Sequence, residues 1–273
     1  MPVIELFPFA SAAIMLAFTI YVLQRYSVRH TPHFLFWGIG LAMFGAGSFA
    51  EAYLSLAWNR WVFFIWYLFG AVLNAAWIGH GTLYLLSRKK WVHVVTVVLV
   101  LGSLFATYMM LKAMPSLDQG AFSTSSPISE QYGSSILPPG QPVPVGAQTK
   151  VETIQGKQVT VVRGLLPPGA PVRLTTPFFN IYGLLTLVGG AIYSAFLFWR
   201  KRVLPNRVIG NVLIAAGALS IGFASVLTRL GNGRFLYLGE LLAAILMFCG
   251  FLVAGQPQPQ EQTSPQRATS PAD

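Results

Sequence analysis

Glu51 and Glu240 are acids set inside long apolar stretches of this 273-residue chain. An ionisable side chain in such a stretch is costly unless it faces a partner or a water-filled cavity. At 1.5 Å per helical residue, both acids fall within roughly 6–9 Å of the same helix ends. Arg60, Arg229, Arg234 and Tyr67 fall at that level too. Two kinds of chemistry fit two acids, three bases and a phenol at one depth. Ion pairs could pin the helix ends, or a vestibule could admit an ion or polar solute. Glu51, Tyr67, Arg60, Arg229, Arg234 and Glu240 are therefore the candidate solute or ion site. Asn74, Asn180 and Asn211 form a second, midplane group, where an unpaired amide would be expensive.

Of the histidines His30, His33, His80 and His93, only His80 lies properly within an apolar helix. A haem or metal would need an opposed buried ligand. None is evident, so no cofactor and no metal ligand are assigned. His-Glu-x-x-His and Gly-x-Ser-x-Gly runs are missing from the sequence. Enzyme is the weakest function class, and no catalytic residue is assigned.

The elements that must position these residues are membrane helices. Hydrophobic residues make up 54% of the chain and charged residues 10%, against about 45–50% and about 25% in soluble domains. Seven apolar runs each approach the ~20 residues that cross a bilayer. They are Val3–Gln24, Phe34–Leu56, Val62–Leu86, Trp91–Leu111, Pro177–Trp199, Val208–Leu227 and Phe235–Ala254. The only charge in Met1–Phe7 is Glu5, and Arg25 and Arg29 follow the run, the reverse of a signal peptide. It reads as a retained helix.

Orientation follows from the basic residues. One set of loops carries Arg25, Arg29, Arg88, Lys89, Lys90, Arg200, Lys201, Arg202 and Arg207; the other short loops carry Arg60, Arg229 and Arg234. The richer side is expected to be cytoplasmic, with the N-terminus out and the C-terminus in. The net charge of +10 then reflects topology and lipid headgroups, and nucleic acid is not an expected partner. The expected location is the plasma (inner) membrane, with the lipid bilayer, a small polar solute or ion, and a second copy of the chain as candidate partners.

Sliding the chain by 173 residues places Pro32 on Pro205, Ala42 on Ala215 and Tyr67 on Glu240, with helix boundaries in step. This suggests a parallel 3+1+3 repeat, the fourth helix serving as the connector that an odd-numbered unit requires. The plan is similar to that of the sugar transporters with paired three-helix bundles. The helix count also resembles microbial rhodopsins and receptor-type sensors, although the seventh helix has no Lys for a retinal Schiff base.

On the sixth helix Asn211, Ala215, Ala218, Gly222, Ser225 and Arg229 recur at spacings of four and three, which predicts a close helix seam through Ala215, Ala218 and Gly222. The loop Lys112–Thr176 is Pro-, Ser- and Gly-rich at first. It then predicts a β hairpin from Thr149–Ile154 and Val159–Arg163 around Gln155–Gly156–Lys157. Two phrases, Ile136–Gly140 and Leu165–Gly169, flank it. They could bracket a cap over the outer mouth, but a tethered, partly ordered loop is the favoured expectation. From Gly255 the chain is Pro- and Gln-rich, and a disordered cytoplasmic tail is expected. The domains are thus 1–113, 114–176, 177–254 and 255–273. The leading functional expectation is a transporter or channel-like protein for a small polar or ionic solute; the alternative is a non-transporting sensor or assembly partner.

Overall fold

The computed structural model describes residues 3–87, 89–137, 148–154, 157–201, 204–229 and 233–256. Seven helices are long and apolar enough to cross a membrane: α1 (Val3–Arg29), α2 (Pro32–Leu54), α3 (Arg60–Leu86), α4 (Trp91–Ser116), α5 (Pro171–Arg200), α6 (Pro205–Thr228) and α7 (Arg234–Ala254). Pro32 and Pro171 stand in the first turns of α2 and α5, where a missing N–H costs nothing. Asn59 caps α3 by accepting hydrogen bonds from the Trp61 and Val62 N–H groups. α5 begins six residues before the expected Pro177, because the polar turn from Pro171 continues straight into the apolar run. Pro177 sits inside the helix.

α1 packs on α2, α2 on α3, α3 on α5, α5 on α6, α6 on α7, and α7 returns to α1; α4 rests outside, against α3 and α5. The interior is filled. Met15, Phe18, Phe34, Leu41, Phe44, Ile78, Leu187, Ala243, Met247 and Phe251 form one buried cluster drawn from five helices.

Two stretches widen to π-helix, Trp66–Leu73 in α3 and Leu184–Val188 in α5. A π turn shifts the backbone bonding and can strand carbonyls, which an apolar medium cannot satisfy. In α3 side-chain amides take that role. Asn74 donates to the Gly70 carbonyl at 2.9 Å, and Asn180 of α5 donates to the Ala71 carbonyl at 3.1 Å.

The seam expected on α6 is turned. Gly222 has open space where a side chain would grow, and Ala215 is buried against Val188 and Ala191 of α5. The close contact with α7 runs instead through Gly217, beside the Ala243 carbonyl, and Ala224, beside Gly239. Small residues occur on several faces of α6, so the four-and-three spacing picked one stripe among several that fit.

The α4–α5 connection holds the expected hairpin, β2 (Thr149–Ile154) paired antiparallel with β3 (Lys157–Val162), and an additional short strand β1 (Ser135–Ile136) on the other edge of β3. The turn Gln155–Gly156, the segment 138–147 and the tail beyond Gln256 lie outside the described residues. Leu165 and Leu166 are fully buried in one cluster with Ile128, Val172, Phe63, Tyr67, Met110 and Met114. The second Leu-Leu-Pro-Pro-Gly phrase is therefore an anchor that docks the loop on the ends of α3, α4 and α5. Asp118, bonded by Arg163 at 2.7 and 3.0 Å and facing Lys150 at 3.7 Å, ties the hairpin to the start of the loop. The Arg163 hydrogen bonds, with Lys150 adding, hold the Asp118 carboxyl below the usual carboxylate range.

Candidate functional site

Glycine contacts set the position of the first site. A side chain on Gly47 of α2 would begin 2.5 Å from the Gly70 Cα of α3, so the two backbones touch there. One turn beyond Gly47 this brings Glu51 beside Trp66, which lies one turn before Gly70. On α7, Gly239 lies against Ala224 and the Ser220 carbonyl of α6, and Glu240 is directed to the other side. Ser48, one turn before Glu51, donates to Glu240 Oε2 at 3.2 Å. The two carboxyl groups are close neighbours.

Glu51 is 1% exposed, and among the described residues neither of its carboxyl oxygens has a donor partner; the Trp66 indole is near but out of hydrogen-bond geometry. Tyr237, 3% exposed and one turn before Glu240, lies among Glu51, Glu240, Glu5 and Glu130. Glu130, from the loop, accepts a hydrogen bond from the Gly233 N–H at the start of α7. Among the described residues no ion pair involves Glu51 or Glu240; the ion pairs present belong to Asp118, Lys150, Glu152 and Arg163 in the loop.

The structure thus brings the two acids together and leaves their expected partners elsewhere. Arg60 and Arg234 are exposed, and the Arg229 side chain lies outside the description. Tyr67 is 2% exposed in the cluster beneath the loop and shares a hydrogen bond with Thr176 of α5 at 3.2 Å. Asn74 and Asn180 serve consecutive carbonyls of the α3 π stretch, while Asn211 stays half-buried on α6 and joins neither.

A second polar constellation lies toward the end of the bundle that carries the basic loops. His80, fully buried, has both ring nitrogens engaged: Nδ1 with the Tyr182 hydroxyl at 2.6 Å and Nε2 with Thr96 Oγ1 at 2.8 Å. Thr96 Oγ1 is also 2.8 Å from the Tyr84 hydroxyl, which is 2.9 Å from His93 Nδ1. Gly79 and Gly183 make the approach of α3 and α5 close enough for this: side chains there would begin 2.1 Å from Thr186 Oγ1 and 2.6 Å from the Ala75 backbone. In the sequence His80 reads only as the one histidine properly within an apolar helix, with none of these partners evident. The available signal was pairing across the short α3–α4 turn. Tyr84 and His93 stand about equally far from its centre, as do His80 and Thr96, each pair one helical turn from the other.

Comparison with family models, with curated proteins and with solved structures gives no match, so the site stands on its own geometry. Among the described residues no group of three His, Cys, Asp or Glu is arranged to hold a metal ion. Chemically, two adjacent carboxyls lacking a base can hold a shared proton or a small cation. An imidazole bonded at both nitrogens to hydroxyls can pass a proton.

Proposed function

We propose that this integral membrane protein is a small transporter or channel-like protein for a small polar or ionic solute, with Glu51 and Glu240 as its proton- or cation-binding element. One observation carries the reading: a buried carboxyl with no donor among the described residues lies against a second, partly buried carboxyl. Two like charges out of water repel, and a shared proton or a cation between the oxygens removes the repulsion. Polar groups in such positions mark ion and substrate pathways in membrane proteins. Tyr237 and Ser48 would line the site. Arg60 and Arg234, exposed near the same helix ends, would act on approaching ions rather than on the carboxyls themselves.

The reading includes seven spans in the plasma (inner) membrane, the N-terminus out, the C-terminus in, the loop and its β hairpin outside, and a parallel 3+1+3 origin. In a chain carrying Cys249→Ser, single cysteines at Ser125 should react with an impermeant reagent in intact cells, and those at Arg88 and Lys201 should be shielded. The reverse pattern would invert the orientation.

The functional test is uptake into proteoliposomes of a panel of small ions and polar solutes under imposed proton and sodium gradients. Glu51→Gln and Glu240→Gln should each abolish gradient-dependent uptake while the protein remains monodisperse. Uptake that survives both changes would remove the carboxyls from the pathway. A second reading, a sensor or assembly partner without transport, draws on the docked loop, whose Leu165 and Leu166 are fully buried on α3, α4 and α5. It predicts no uptake of any solute in the panel and unchanged ligand or partner binding in both Gln variants.

A further inference from the structure

The Tyr182–His80–Thr96–Tyr84–His93 chain has no role in the reading above, and it does not depend on the carboxyl pair. It runs from an exposed residue to a fully buried one. His93 is exposed at the start of α4, Tyr84 and Thr96 are half-buried, and His80 is buried. Tyr84, His93 and Thr96 also form the polar end of an open groove of about 380 Å³, continued by Val97, Val100 and Leu101 of α4. Each link is between 2.6 and 2.9 Å, within the range for hydrogen bonds that carry a proton between heteroatoms.

We infer that this chain is a proton relay that exchanges the proton of the buried His80 imidazole with water at the end of the bundle carrying the basic loops. The transfer balances. With His93 doubly protonated and His80 holding its proton on Nδ1, His93 Nδ1–H passes a proton to the Tyr84 oxygen as the Tyr84 proton moves to Thr96 Oγ1. The Thr96 proton then moves to His80 Nε2. One proton leaves His93, one arrives on His80, and both hydroxyls end with the single proton they began with. The imidazolium so formed returns its Nε2 proton by the same steps in reverse.

Thr96 is the switch. Its hydroxyl also reaches the Val92 carbonyl at 2.9 Å. While it donates there, it has no proton to offer His80 Nε2 and the relay is at rest; rotation of the hydroxyl toward His80 opens it. The titratable groups around His80 are Tyr84 on its own helix, His93 on α4 and Tyr182 on α5, while α2 presents the ring of Phe36 at 4.7 Å. No acid faces the imidazole among these contacts, so nothing there traps the proton as a fixed ion pair.

The competing role is structural, since hydroxyl and imidazole hydrogen bonds also hold membrane helices together. The rate at which His80 gains and loses its Nε2 proton, read from 15N line shapes during acid titration of histidine-labelled full-length protein in nanodiscs, separates the two. A relay makes this exchange much faster than that of the backbone amides of the surrounding α3 turn. Thr96→Val, which keeps the shape and removes the hydroxyl, should slow the exchange by about tenfold or more, an added barrier of about 1.4 kcal/mol. Thr96→Ser, which keeps the hydroxyl and loses a methyl group, should exchange like the parent. Tyr84→Phe should slow exchange as Thr96→Val does, and serves in its place should the Val variant fail to fold. His80 protonation no faster than exchange of the neighbouring α3 amides overturns the relay, and so does an equal rate in the Val and Ser variants. Loss of solute uptake in the Glu variants, with these exchange rates unchanged, leaves the relay standing; the reverse result leaves the carboxyl site standing.

Discussion

The carboxyl pair and the imidazole chain are both buried polar groups in an apolar bundle, and they differ in how completely they are satisfied. At His80 both nitrogens have partners, and the hydroxyls they meet have further partners. At Glu51 neither oxygen has a donor among the described residues, and a second acid lies beside it. A satisfied network contributes to holding α3, α4 and α5 together. An unsatisfied acid costs stability and persists where a proton or ion supplies what the chain does not. One region is a satisfied strut, and the other holds an acid that no described donor satisfies.

Substitutions measured by thermal unfolding in detergent put this contrast at risk. Gly183→Leu, which would drive a side chain into the Ala75 backbone from 2.6 Å, should separate α3 from α5 and break the His80–Tyr182 bond. The loss should reach the upper end of the roughly 1–3 kcal/mol typical of overpacking. His80→Leu should cost somewhat less, within roughly 1–3 kcal/mol, because it leaves the Tyr182 hydroxyl unpartnered. Glu51→Leu should stay within about 1 kcal/mol of the parent or stabilise it, since it removes a buried acid without orphaning a donor. Equal losses at His80 and Glu51 would erase the distinction between the two regions.

Outside the bundle, the Asp118 carboxyl is held low by Arg163. Its contribution is fully present above the ordinary aspartate range and is lost as pH falls through the lowered folded value. Amide protection in β2 and β3, measured against the intrinsic exchange rate at each pH, should therefore fall on acidification, and Arg163→Met should flatten that dependence. Smallest of all, Gly222→Leu should change stability by no more than about 0.5 kcal/mol, because open space surrounds that position.

The seven spans and the hairpin were legible in the sequence because they rest on composition and length: about twenty apolar residues suffice to call a crossing helix, and alternating β-branched residues around a glycine turn suffice for β2 and β3. The shared level of Glu51 and Glu240 was legible for the same reason, as rise per residue is fixed. Rotation about each helix axis was not. In a soluble helix the polar face reports which side is out, but here lipid-facing and helix-facing positions are both apolar, so Gly217 and Gly222 look alike until the neighbour is known. Which helices touch was equally hidden. That alone decided that Glu51 meets Glu240 rather than Arg60 or Arg234, that Asn74 and Asn180 repair a π-helical backbone rather than line a cavity, and that His80 ends a hydrogen-bonded chain reaching the surface. Each is a contact between residues far apart in the chain, made by close glycine approaches that have a position in the sequence but no partner written there.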